Sequence, residues 1–215
     1  MPISRDRILF CDNAMLAVNK LSGELLVKGS GKVQKLPLLD FLKKDYPGIH
    51  PLNRLDFETS GVVLFARSKK VLADALERKF TGWKKIYRTI VTGRLPDHGE
   101  IAFPLPSRIK GEAVSAVTRY TVRTRFEHVT ELDVEIETGR HHQIRRHFSM
   151  IKHPLVLDQV YGDEKANRAF TKRTRYRQFF LHAWKVVLQH PVTGKEISIE
   201  APMPRPFEEV LKILR

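Results

Sequence analysis

The sequence predicts an α+β fold built on a large, mixed and mostly antiparallel sheet in two halves with flanking helices. Three observations lead there. Strand-length segments that alternate apolar and polar residues recur along the chain, helical spacing is confined to a few short stretches, and no repeat or linker divides the sequence, so residues 1–215 are read as a single domain. With 42% hydrophobic residues, 215 residues can bury one sizeable core, or two modest lobes sharing a cleft. The 12 glycines and 12 prolines are too scattered to make a low-complexity segment.

Taken in order, Ile8 to Cys11, Met15 to Asn19 and Leu25 to Val27 read as short strands, broken at Asp12-Asn13 and Ser22-Gly23. Leu36 to Tyr46 has apolar residues at 38, 39, 41 and 42, a helical spacing that stops at Pro47-Gly48. Gly61 to Ala66 is a continuous apolar run of strand length. Ser68 is the N-cap candidate of a helix reaching Phe80. Ile86 to Thr92, Ala113 to Val122 and Val129 to Glu137 alternate as strands with one solvated face do. A basic helix is expected over His141 to Met150, closing strands over Phe179 to Leu188 and Glu196 to Ala201, and a terminal amphipathic helix over Pro206 to Leu214.

Thirty-eight Lys and Arg against 24 Asp and Glu give a formal net charge of +14. Such an excess points to a polyanionic partner. Nucleic acid and an anionic membrane both fit the sign. Nucleic acid is favoured, because the longest apolar stretches are only strand-length and none could span a bilayer. Met1 to Phe10 lacks the apolar core of a secretory signal, and the single cysteine, Cys11, allows no internal disulfide, so a reducing, cytoplasmic setting is expected.

Three segments carry candidate chemistry. In the first, Asn53-Arg54-Leu55-Asp56-Phe57-Glu58-Thr59-Ser60-Gly61, a carboxylate sits in a polar loop that runs straight into an apolar strand. Short side-chain and backbone hydrogen bonds can orient it while it stays open to a ligand, although alone the segment also reads as a turn with a surface ion pair. In the second, Lys85-Ile86-Tyr87-Arg88, Lys85 and Tyr87 share one face of a strand, an aromatic beside cations that suits a nucleobase and its phosphates. In the third, Glu137-Thr138-Gly139-Arg140-His141-His142-Gln143-Ile144-Arg145-Arg146-His147, three arginines fall within seven residues. Gln143 and Arg146 face one way and Arg145 lies on a neighbouring stripe, so the segment can meet a phosphate backbone and an active site together. His153-Pro154-Leu155-Val156-Leu157-Asp158 and Tyr161-Gly162-Asp163 follow. The histidines at 141, 142, 147 and 153 do not suggest a metal site, since their spacing is wrong for a helical ligand pair and arginines lie between them.

Together these segments resemble the RluA-type family of pseudouridine synthases, whose pattern is His-Arg-Leu-Asp-x-x-Thr-Ser-Gly, then Lys-x-Tyr, then Thr-Gly-Arg-x-His-Gln-hydrophobic-Arg, in this order. Val18-Asn19-Lys20-Leu21-Ser22-Gly23 is similar to the family's Lys-Pro-x-Gly, and His190-Pro191 with Thr193-Gly194 to a motif near its end. Asn53 stands where His is usual, Phe57 where Arg is, Leu21 where Pro is, and Leu157 where Gly is. The resemblance implies the pseudouridine synthase fold with a central RNA-binding cleft lined by segments 53 to 61, 85 to 88 and 139 to 147; the sequence is expected to leave no room for the separate N-terminal RNA-binding module that many relatives carry. It implies isomerisation of uridine to pseudouridine in structured RNA, either tRNA or rRNA. Segment 145 to 168 looks somewhat more like the tRNA-directed TruC-like branch.

Carried over by position, the resemblance makes Asp56 the nucleophile, Tyr87 the aromatic packed against the target uracil and Arg145 the cation paired with Asp56. Arg54 would enter the RNA where the base has left. Lys85, Arg140, His142, Gln143 and Arg146 complete the expected RNA contacts. The reaction involves no redox step and no external group, so neither cofactor nor metal is implied. RNA is the implied partner, and a monomer with no obligate protein partner and no membrane association is expected. The route of the Asp56 carboxylate, to the sugar C1′, to uracil C6 or through a glycal, stays open. A non-catalytic RNA-binding protein and a histidine-based ribonuclease are the rival readings.

Overall fold

The computed structural model describes residues 3–28, 36–77, 82–107 and 112–215. In chain order its first elements are β1 (Ile8–Cys11), β2 (Met15–Lys20), α1 (Leu38–Asp45), β3 (His50–Pro51), β4 (Ser60–Ala66) and α2 (Lys69–Glu77). Then come β5 (Lys84–Thr92), β6 (His98–Ile101), β7 (Leu105–Pro106), β8 (Ala113–Val114), β9 (Thr118–Arg125) and β10 (Val129–Ile136). The last are α3 (Gln143–Met150), α4 (Glu164–Thr174), β11 (Leu181–Gln189), β12 (Glu196–Glu200) and α5 (Arg205–Leu214). The chain forms two compact units, Met1–Lys84 with Ala183–Pro202, and Lys85–His182 with Met203–Arg215. Each is a mixed α+β arrangement in which every strand register described is antiparallel.

In the first unit β2 pairs with β1 on one side and β4 on the other, placing Ala17 opposite Leu64 and Lys20 opposite Gly61. All seven residues of β4 are buried, as its unbroken apolar run predicts. The two-residue period of a strand then divides its side chains. Val62, Leu64 and Ala66 join Val71 and Ala75 of α2, while Val63 and Phe65 join Leu38 and Leu42 of α1. Each fully buried Val, Leu or Phe stabilises the fold by roughly 1.5–3 kcal/mol. α2 begins at the expected cap, with Ser68 Oγ accepting the Val71 N–H at 3.2 Å. Its expected end at Phe80 lies outside the described residues. The strand expected over Leu25 to Val27 does not form. Its carbonyls receive the first amides of α1 instead, Leu38 N–H to Leu25 O at 2.7 Å and Leu39 N–H to Leu26 O at 3.1 Å, so the segment caps a helix.

In the second unit β5, β10, β9 and β6 pair in that order. The strand expected over Ala113 to Val122 is interrupted, β8 pairing with β7 and β9 starting only at Thr118. The core gathers Ile90, Val129, Val156, Phe170, Phe180, Phe207, Val210 and Leu214. Phe180 and Phe207 stack with centroids 3.8 Å apart. Phe207, Val210 and Leu214 fall at helical spacing on α5, which starts as Pro206 near its first turn foretells. Helix α4 was not foreseen. Its sequence is so polar that only Phe170 and Thr174 are buried, and its start is set by Asp163, whose side chain accepts the Ala166 N–H at 2.7 Å.

Candidate active site

Asp56 belongs to the first unit, at the middle of a loop whose exit is fixed by a close backbone approach. Gly61 has φ +114°, and a Cβ there would lie 2.2 Å from the Ala183 carbonyl oxygen, so only glycine fits where β4 begins. The loop's start is held by Asn53. Its Oδ1 accepts the Leu64 N–H at 2.8 Å and its Nδ2 donates to the Val62 carbonyl at 3.2 Å, so the residue that replaces the family's histidine braces the loop against β4.

Between these ends, three successive carbonyls are gripped by the corner Lys20 to Gly23. Phe57 O accepts the Gly23 N–H at 2.9 Å, Glu58 O accepts the Ser22 hydroxyl at 2.7 Å, and Thr59 O accepts the Lys20 ammonium at 2.7 Å. Lys20 Nζ also donates to Phe57 O at 3.0 Å and Leu21 O at 3.1 Å. Lys20 is fully buried, 0% exposed. Burial pushes its ammonium down to about 8, against the pull of the Glu24, Asp56 and Glu58 carboxylates. Asp56 is thus half-buried in a pinned loop, within electrostatic reach of a buried cation, and Arg54 beside it is exposed.

The other candidates lie in the second unit. Tyr87 sits on β5 opposite Val134 of β10 and is 7% exposed. Lys85, two residues earlier, donates to the Glu137 carbonyl at 3.3 Å, and burial lowers its ammonium. Arg88 pairs with Asp133 at 3.1 Å. Arg145 is 5% exposed and bonds Asp158 through two parallel contacts, Nε to Oδ2 at 2.7 Å and Nη2 to Oδ1 at 2.8 Å. Asp158 Oδ1 also accepts the Val160 and Tyr161 amides at 2.9 and 3.0 Å. Burial opposes the charge on Asp158, but these bonds win and hold its carboxyl below the usual range. The guanidinium lies 4.9 Å from the Phe179 ring centroid and 5.3 Å from that of Tyr161, so its plane is fixed on several sides.

The third segment differs from its sequence reading at one residue. Gln143, expected to touch RNA, is 2% exposed and spent internally: Oε1 accepts from Thr138 Oγ1 and the Arg140 N–H, and Nε2 donates to Val117 O and Thr118 Oγ1. It braces the turn before α3. Arg140 remains exposed and Arg146 half-exposed. His142 stacks on His141 at 3.8 Å and meets the Tyr161 hydroxyl at 3.2 Å. His147 is buried between Thr118 Oγ1 and the Phe103 carbonyl, and burial lowers its pKa. His153 bonds the Thr92 carbonyl at 2.7 Å. His147 and His153 therefore serve separate structural bonds, and no cluster of three His, Cys, Asp or Glu suited to a metal ion occurs among the described residues.

Sequence reasoning assigned no role to Lys20 or Asp158. One signal for Asp158 was present: a buried arginine requires a carboxylate, and this is the acid that follows α3 most closely. Gly162 shows how tight its turn is, since a Cβ there would lie 2.1 Å from the Asp158 carbonyl oxygen. No helix among the described residues is long and apolar enough to cross a membrane.

Comparison with known proteins bears on the same residues. The sequence pattern of the family described as RNA pseudouridylate synthase matches residues 14–150, which include Lys20, Asp56, Tyr87 and Arg145. Ribosomal large subunit pseudouridine synthase C of Escherichia coli (strain K12) is 34% identical over 224 residues, covering 98% of this chain and 70% of that protein. The enzyme of the same name from Pasteurella multocida (strain Pm70) is 31% identical, over 97% of this chain and 68% of its own length. Among solved structures, human RNA pseudouridylate synthase domain containing 4 superposes with a TM-score of 0.79 at 25% identity, covering 96% of this chain and 92% of that one. The chain therefore belongs to the RNA pseudouridylate synthase family, of the RluA type, and is a pseudouridine synthase, an isomerase whose substrate is RNA.

Proposed function

We propose that Asp56 is the nucleophile by which this enzyme converts uridine to pseudouridine in structured RNA, with Tyr87 packed against the target uracil and Arg145 as the cation that pairs with Asp56. The observation that most supports the nucleophile is the grip on its loop, in which the carbonyls of residues 57, 58 and 59 are each bonded by the Lys20 to Gly23 corner. A carboxylate acts fast when it is held in place before the substrate arrives. Arg145 is suited to its part for the same reason, because Asp158 fixes its Nε and Nη2 edge.

The isomerisation breaks the N1–C1′ bond and forms a C5–C1′ bond. C5 loses its proton and N1 gains one, so the atoms balance without an external donor. Covalent assistance by a carboxylate divides this into two easier steps. The base must first leave its stack at a cost of a few kcal/mol, which Arg54, Tyr87 and phosphate contacts from Lys85, Arg140, His142 and Arg146 would offset. Large-subunit ribosomal RNA is the substrate class we favour, because the relatives' names specify it. Transfer RNA is the second reading, favoured by the likeness of residues 145 to 168 to the tRNA-directed branch. We take the enzyme to act as a cytoplasmic monomer. The test is tritium release from RNA labelled at uridine C5. The wild type should release tritium and Asp56→Asn, folded and RNA-binding, should not; equal release from both would refute the assignment.

A further inference from the structure

The second unit carries a surface cavity of about 600 Å³ that none of the proposed catalytic residues lines. One wall is apolar, formed by Val129, Phe170 and Leu214. Helix α4 presents Ala166 and Ala169 to it, and larger residues there would close the space. Lys152, Lys165 and Arg173 also line it. Among the described residues neither lysine has a carboxylate within ion-pair distance, whereas Arg173 reaches Glu127 and the Leu214 carbonyl, both at 3.3 Å. The one lining acid, Asp163, has an oxygen engaged by the Ala166 N–H at the start of α4.

The volume lies within the range of pockets that take small molecules, roughly 300–1,000 Å³. An acidic peptide would use the cations but has no need of the apolar wall, and a neutral apolar ligand would use the wall but not the cations. An unpaired nucleotide needs both, an apolar surface for its base and cations for the flanking phosphates. We propose that this cavity is an accessory RNA site that seats an unpaired nucleotide of the substrate, away from the uridine being isomerised. Its base lies against Val129, Phe170 and Leu214, and its phosphates against Lys152, Lys165 and Arg173. The proposal rests on RNA being the substrate, but not on Asp56 being the nucleophile.

Labelled poly(A) is the probe, because it contains no uridine to occupy the catalytic site. Ala169→Trp, which fills the cavity, should bind poly(A) about tenfold more weakly. Lys152→Ala combined with Lys165→Ala, both at exposed positions, should lower the slope of log affinity against log salt by ~0.7 for each lost phosphate contact. The readout is binding and not tritium release, so a failure of the catalytic assignment leaves this result standing. Wild-type poly(A) affinity and salt slope in both cavity variants would overturn the proposal. Equal competition by polyglutamate would overturn it too, by showing a site that reads charge alone.

Discussion

Replacing Lys20 by methionine removes one buried ammonium while keeping most of the side chain's volume. The Phe57 carbonyl keeps its bond from the Gly23 N–H, but Leu21 O and Thr59 O lose the Lys20 bonds. Thr59 is buried, and an unsatisfied buried acceptor costs ~1–3 kcal/mol, whereas Leu21 is exposed and its carbonyl can turn to water. Against this, the variant no longer buries a charge. The shift from 10.5 to about 8 corresponds, at ~1.4 kcal/mol per pH unit, to about 3 kcal/mol of relief. The two nearly offset, so at neutral pH the variant should match the wild type in stability or exceed it by up to about 2 kcal/mol. Turnover should suffer nonetheless, because a misplacement of about 1 Å can cost ~100-fold in rate. With the Gly23 and Ser22 bonds intact, we expect kcat to fall roughly tenfold and RNA affinity to hold.

The same lysine leaves a signature in pH. From about pH 8 to 10.5 the unfolded chain retains the Lys20 proton and the folded chain has released it. Folding stability therefore rises with pH across that window, by up to about 3 kcal/mol, and this contribution vanishes in Lys20→Met. Urea denaturation of both proteins from pH 7 to 10.5, with single-turnover kinetics at neutral pH, measures both effects. Wild-type turnover together with an unchanged pH dependence of stability would refute the reasoning.

Further outcomes follow from the second unit. Asp158→Asn removes the charge that the buried Arg145 bonds through Nε and Nη2 and should cost ~3–5 kcal/mol in urea denaturation. Because the Asp158 pKa is lowered from 3.8, that deficit should persist from neutral pH down to about 4 and shrink only below it, as the wild-type carboxyl protonates through its lowered folded value. Leu157→Gly relieves a left-handed backbone, φ +61°, worth ~1–2 kcal/mol, but empties a buried side-chain site worth ~2–5 kcal/mol, so the variant should be less stable by about 0–4 kcal/mol. Arg145→Ala should lower turnover more than RNA retention, whereas Lys172→Ala should change only the salt dependence of binding, both read by filter binding beside tritium release.

The elements that reveal themselves in sequence are those whose burial follows a simple period. β4 is apolar at nearly every position, and α5 places Phe207, Val210 and Leu214 on one face. Helix α4 breaks that rule, because a helix that buries only Phe170 and Thr174 offers almost no apolar period, and only its Asp163 cap marks it. Leu25 to Val27 has strand-like residues, but a tertiary partner claims their carbonyls. The site divides in the same way. The resemblance to the family, carried by its motifs, singles out Asp56, Tyr87 and Arg145 as candidates, while the residues that brace their segments carry no such local mark. Lys20 reaches Thr59 across 39 positions, and a lysine at the end of a strand is ordinarily solvated. Gln143 looked like a surface contact because nothing local reveals that Thr118 and Val117 lie beneath it.

The Asp56 assignment is tested most directly by mapping pseudouridine across the RNA of a strain that lacks this protein, then restoring either the wild type or Asp56→Asn at equal abundance. The wild type should return the missing modification and the variant should leave it absent. Its return with Asp56→Asn would show that the chemistry belongs to another residue.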